Sequence, residues 1–81
     1  MALRTIHDSV ADTTSQEIRT TEDECGIFCS AGSCDVKVGS DIMASLATLD
    51  GKVFTVGQGT VLTVVASSAS TTVKGDRMAI I

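Results

Sequence analysis

The sequence predicts an all-β protein: a small antiparallel β-sandwich or barrel with an extended N-terminal arm. Three observations point there. The apolar bulk is Val, Ile, Leu, Ala and Met mixed with abundant Thr and Ser, and Trp, Tyr and Pro are missing, a composition that suits pleated, half-buried strands. Short runs alternate apolar and polar residues, most clearly over 25–38 and 52–65, as strands with one buried face do. Turn-forming residues recur every eight to twelve positions, the spacing of sandwiches and barrels. Eighty-one residues suffice for one small domain whose stability alone is modest.

The elements follow in order. Residues 1–14 place Leu3, Ile6 and Val10 among polar neighbours, with neither face cleanly apolar. They read as a weak first strand or as an arm that orders on a partner; residues 15–81 are then a single β-domain. Ser15–Thr20 is a strand with Ile18 inward, followed by the acidic turn Thr21–Glu24. Next comes Cys25–Gly39, where Ile27, Cys29 and Ala31 share one strand face and Cys34, Val36 and Val38 share the next. A two-residue loop at Ala31-Gly32 makes this a β-hairpin that pairs Cys29 with Cys34, Ile27 with Val36 and Cys25 with Val38.

Residues 40–50 are ambiguous. Ile42, Leu46 and Leu49 stand at helical spacing behind a capping Ser40 or Asp41, but an irregular crossing that plugs the core with the same three residues fits equally. Asp50-Gly51 signals a turn, Lys52–Val56 a strand, and Gly57-Gln58-Gly59 a second hairpin connection. Thr60–Ala66 is a strand apolar on both sides, as a doubly covered strand is. A small-residue loop at 67–70 leads to a strand at 71–74, a turn at Gly75-Asp76 and a last strand at 77–81. The total is six to eight strands.

Chemistry-bearing residues are few. Cys29 and Cys34 of the expected hairpin read first as small buried thiols, and second as a cross-strand disulfide that needs a pinched pair. A metal site is disfavoured: C-x3-C-x4-C lacks a fourth ligand, and the single histidine, His7, is remote in sequence. His7 has no nucleophile elbow to serve, and the carboxylates of 21–24 lack the alternating spacing of a calcium loop. Gly57-Gln58-Gly59 is not a phosphate loop, because it lacks the third glycine. The expectation is a protein that is not an enzyme and uses no cofactor or metal. A net charge of −4 with 2% aromatics argues against nucleic-acid binding. No apolar run reaches the ~20 residues of a membrane span, and the start lacks a signal-peptide core, so the chain is expected to be made in the cytoplasm.

The order Thr-Thr-Ser-Gln-Glu-Ile-Arg-Thr, Gly-Ile-Phe-Cys-Ser-Ala, Cys-Asp-Val-Lys-Val-Gly-Ser, then Val-Gly-Gln-Gly-Thr-Val-Leu-Thr-Val and Ser-Thr-Thr-Val-Lys resembles small virion proteins of tailed bacteriophages. These share a V-x-V-G strand ending, a Gly-rich G-x-x-L-T-V strand and a T-x-x-V strand. The resemblance covers roughly residues 12–74. The three cysteines, the apolar 42–49 crossing and the Ile80-Ile81 end depart from it. It implies a structural subunit, foremost a capsid decoration (cement) protein and otherwise a tail or fibre accessory module; outside the resemblance, the alternative is a non-virion interaction domain, host-facing or redox-active through its cysteines. Such a subunit is made in the bacterial cytoplasm, resides in the virion, self-associates (often as a trimer), and binds the major capsid protein or other virion subunits. The expected contacts are Leu3 and Ile6 in the arm and Met78, Ile80 and Ile81 at the other end, each with intramolecular core as its alternative.

Overall fold

The computed structural model describes residues 3–81; Met1 and Ala2 of the expected arm lie outside the described residues. Among the described residues nine strands form: β1 (Arg4–Ser9), β2 (Ser15–Thr20), β3 (Glu24–Ala31), β4 (Cys34–Val38), β5 (Asp41–Leu46), β6 (Asp50–Thr55), β7 (Val61–Ala66), β8 (Thr71–Asp76) and β9 (Met78–Ile80). They make two antiparallel sheets of order β1-β8-β3-β6 and β5-β4-β7-β2-β9, packed as a sandwich. The all-β expectation holds.

The core is what alternation dictates. Ile18, Cys25, Ile27, Cys29, Cys34, Val36, Leu62, Val64 and Val73 are all fully buried between the sheets, joined by Ile6, Leu46, Phe54 and Met78. Each large aliphatic buried there contributes ~1.5–3 kcal/mol relative to exposure. β7 sits at the centre of its sheet with Leu62, Val64 and Ala66 inward and Val61, Thr63 and Val65 half-covered on the outside.

The connectivity departs from expectation in a systematic way. Every connection except β4 to β5 carries the chain from one sheet to the other. The expected 25–39 hairpin is therefore an arch. β3 bonds to β6 and β8, while β4 bonds to β5 and β7. The pairs Cys25–Val38, Ile27–Val36 and Cys29–Cys34 do not form as ladder neighbours. An arch and a hairpin bury the same alternate residues, so periodicity does not separate them. Likewise Gly57–Gly59 joins β6 to β7 across the sandwich rather than within a hairpin.

Three further corrections follow. Residues 40–50 hold no helix: Asp41–Leu46 is a strand paired to β4, with a bulge at Val36/Lys37. Leu46 enters the core, but Ile42 and Leu49 are exposed, because Ile42 pairs with Lys37 on the outward face. Residues 4–9 are not a free arm: they pair with β8, and Ile6 is buried. The turn expected at Gly75-Asp76 lies at Arg77, whose φ of 57° turns the chain from β8 into β9.

Two buried threonines fasten the crossings. The Thr20 hydroxyl donates to Gly57 O at 2.8 Å and accepts from Thr60 N at 3.0 Å, holding the β6–β7 connection. The Thr71 hydroxyl lies 3.1 Å from Ser33 O and 2.7 Å from Ser68 O, between the β3–β4 arch and the β7–β8 loop. The arch closes onto Thr71 through Gly32, which has φ +74°. A Cβ there would stand 2.4 Å from Thr71 Oγ1 and 2.8 Å from Thr71 Cα.

Gly32→Ala combines a left-handed backbone with a clash against main chain, and is expected to destabilise the fold by about 2 kcal/mol or more. Urea denaturation checks this, with Gly39→Ala as the control: it has a similar φ of +60° but open space around its Cβ position, and is expected to lose less.

Candidate functional site

Three places collect the residues that the sequence singled out: the thiol cluster, the acidic loop, and the exposed apolar side chains at the rim.

The thiols lie in the core. Cys25 and Cys29 point inward from β3 and Cys34 from β4, and all three are free and fully buried. Cys29 and Cys34 face one another across the sandwich, near enough to perturb each other's ionisation. The Cys29 thiol also donates to Ala31 O at 3.3 Å. Burial pushes all three thiols up. At Cys25 the Arg77 guanidinium pulls back part of that shift and Asp76 adds to it. At Cys29 the contacts with Cys34 and the Ala31 carbonyl oppose burial. Cys34 is pushed up to about 12, by burial first, then by Cys29 and Asp35. A thiol that keeps its proton is a poor nucleophile, so the cluster acts as apolar filling.

The acidic loop forms one wall of an open cleft of about 360 Å³, lined by Thr21, Glu22, Asp23, Glu24, Gln58 and Arg77. Its groups are largely engaged with one another. Asp23 O accepts from Val56 N and Gly57 N at 3.1 and 3.3 Å, and Asp23 Oδ1 accepts from Gln58 N at 3.2 Å. Arg77 lies 3.9 Å from Glu24 and 3.5 Å from Asp76. The buried Asp76 carboxylate accepts from Gly26 N at 2.7 Å, which joins β8 to β3. Among the described residues Arg77 Nε has no hydrogen-bond partner. Among the described residues no three His, Cys, Asp or Glu side chains are grouped as metal ligands would be. His7 rests against Thr14, with Nε2 3.2 Å from Thr14 O.

The expected contact residues divide. Ile6 and Met78 are core residues, so they offer nothing to a partner. Leu3, Ile80 and Ile81 are exposed. Leu3 lines an apolar groove of about 240 Å³ with Gly26, Ile27, Phe28, Gly51, Lys52 and Val53, on the β3–β6 side of its sheet. Ile80 and Ile81 lie at the β9 edge of the other sheet, where Ile81 N donates to Glu17 O. Ile42, Met43, Leu49 and Val53 are also exposed and were not expected as contacts. For Ile42 and Leu49 the signal was concealed by their helical spacing from the buried Leu46.

No family model, curated protein or solved structure matches the chain. Among the described residues no helix is long and apolar enough to cross a membrane.

Two measurements test the thiol cluster. Iodoacetamide at neutral pH should alkylate the native chain at least about tenfold more slowly than the urea-unfolded chain, which should react at all three cysteines. Stability should also fall at alkaline pH. The unfolded thiol loses its proton near 9.0, whereas folded Cys34 keeps it to about 12. The native state then holds more protons than the unfolded state, so unfolding free energy decreases as pH rises through that window. Urea midpoints from pH 8 to 11 should show the fall, and Cys34→Ala should flatten it.

Proposed function

We propose that the protein is a structural subunit of a tailed-bacteriophage virion, a decoration protein that binds and stabilises neighbouring coat subunits. The observation that carries this reading is the distribution of apolar side chains. The sandwich core is closed, yet Leu3, Ile42, Met43, Leu49, Val53, Ile80 and Ile81 stand at its rim and edges. A small domain gains stability when such groups are covered by a neighbour. The strand and turn order around Val36-Lys37-Val38-Gly39 and Gly59–Val64 supplies the virion resemblance, and the net charge of −4 favours solubility before assembly.

The functional role is binding rather than catalysis. The thiols are shielded and hold their protons, and in the cleft the Asp23 carboxylate fixes the β6–β7 connection through Gln58 N while Glu24 pairs with Arg77. The useful surface is then the rim, where a rigid frame presents apolar groups at fixed spacing.

Capsids assembled without the protein should disrupt at lower temperature than decorated ones, and adding the purified chain should restore them. Ile80→Asp with Ile81→Asp changes only exposed groups and should weaken capsid binding by about tenfold or more. Capsids equally robust without the protein would overturn the reading. Labelling found on tails alone would replace it with a tail accessory role.

A further inference from the structure

Of the four sheet edges, three are blunted. β9 has three residues. β1 carries a bulge between Thr5 and His7, and its Arg4 guanidinium is hydrogen-bonded to Met78 O. The β5 pairing is broken by the bulge at Val36/Lys37. Short length, bulges and edge charges are devices that stop edges from pairing with other chains; the charges on β6, Asp50 and Lys52, are of opposite sign, so they bar some registers and favour another. β6 is neither short nor bulged: its six residues run in unbroken register from Glu24–Thr55 to Cys29–Asp50.

The free backbone groups of β6 follow from its ladder. Gly26 turns its N–H towards β8, where Asp76 accepts it. The alternate residues Cys25 and Ile27 therefore bond to β6, opposite Phe54 and Lys52. That leaves the N–H and C=O of Gly51 and Val53 directed out from the edge. Flanking them are exposed Val53 and Leu49, at 51% and 72%, and the apolar groove that Leu3 and Phe28 line.

We propose that β6 pairs antiparallel with β6 of a second copy, about a two-fold axis at Gly51, joining two four-stranded sheets into one of eight. The charges select this register. With Gly51 opposite Gly51, Asp50 of each chain faces Lys52 of the other, giving two opposite-charge pairs; the shared ladder spans residues 50–52 of each chain, because Leu49, with a φ of 64°, turns off before β6 and donates its N–H to Cys29 O. Slipping by two residues one way sets Lys52 against Lys52, and the other way sets Asp50 against Asp50; like charges directly opposed destabilise a ladder. A further slip that centres Val53 leaves both charges without opposite partners. Glycine at the axis also leaves room for Phe28, which already covers it: a Cβ on Gly51 would stand 3.0 Å from the Phe28 ring. The inference goes beyond the virion reading, since it concerns the free chain in solution.

Charge reversal tests it, because Asp50 and Lys52 are exposed. By sedimentation velocity at high micromolar concentration the native chain should be a dimer. Asp50→Lys and Lys52→Asp should each weaken dimerisation by about tenfold or more. The double exchange should restore the dimer. An equimolar mixture of the two single variants should form a heterodimer, since one then offers two cations and the other two anions. That mixture also shows that both variants are folded. A monomeric or trimeric native chain, single variants that remain dimers, or a double exchange that stays monomeric would overturn the proposal.

Discussion

The structure depends on the apolar contact between its two sheets. Because all but one of the strand connections pass from sheet to sheet, consecutive strands rarely support one another through backbone hydrogen bonds. Neighbours in the sequence instead face each other across the core. β3 and β4 both feed one core cluster, with Cys25, Ile27 and Cys29 from one and Cys34 and Val36 from the other, and β3 finds its ladder partners, β6 and β8, far along the chain. Most contacts of this kind close long loops, which slows folding relative to local hairpins. It also means that a cavity in this layer weakens both sheets at once.

The crossings need their own fastening, since a chain leaving a sheet exposes backbone groups that the ladder no longer satisfies. Thr20 and Thr71 supply it from buried positions, each binding a loop distant in sequence. Asp76 does the same within a sheet, by accepting the Gly26 amide. The buried polar residues thus mark where the chain changes sheets. The cysteines between them are compact apolar filling, and their alignment across the sandwich reflects the arch that carries them.

For function, the arrangement separates a sealed interior from an apolar rim. The acidic cleft is bound up with holding Arg77 and the β6–β7 connection. The groups left unsatisfied by the fold are at edges: Ile80 and Ile81 beside β9, Ile42 and Met43 on β5, and the bare backbone of β6 with Val53 and Leu49. A frame of this sort suits a protein whose work is done by covering and being covered.

Sequence alone established the fold class and the inward-facing residues of 25–38, together with Ile18, because a two-residue period assigns each side chain to a face; the strand at 60–66, apolar on both sides, took its inward face only from the sheet. The sequence also marked the turns at 31–32 and 57–59. It did not determine which strand bonds to which, since a hairpin and a sheet-crossing arch bury the same alternate positions. That choice was made by tertiary structure: Gly32 fits against Thr71, and β3 finds β6 and β8 instead of β4. The same limit explains Ile42 and Leu49, whose spacing from Leu46 suggested a shared face until pairing with Lys37 turned Ile42 outward. It explains Ile6 and Met78 too, which looked like terminal contacts but were drawn into the core once β1 joined β8 and β9 joined β2. Which apolar residues stay exposed depends on the order of strands in the sheets, and that order is a property of the assembled layers.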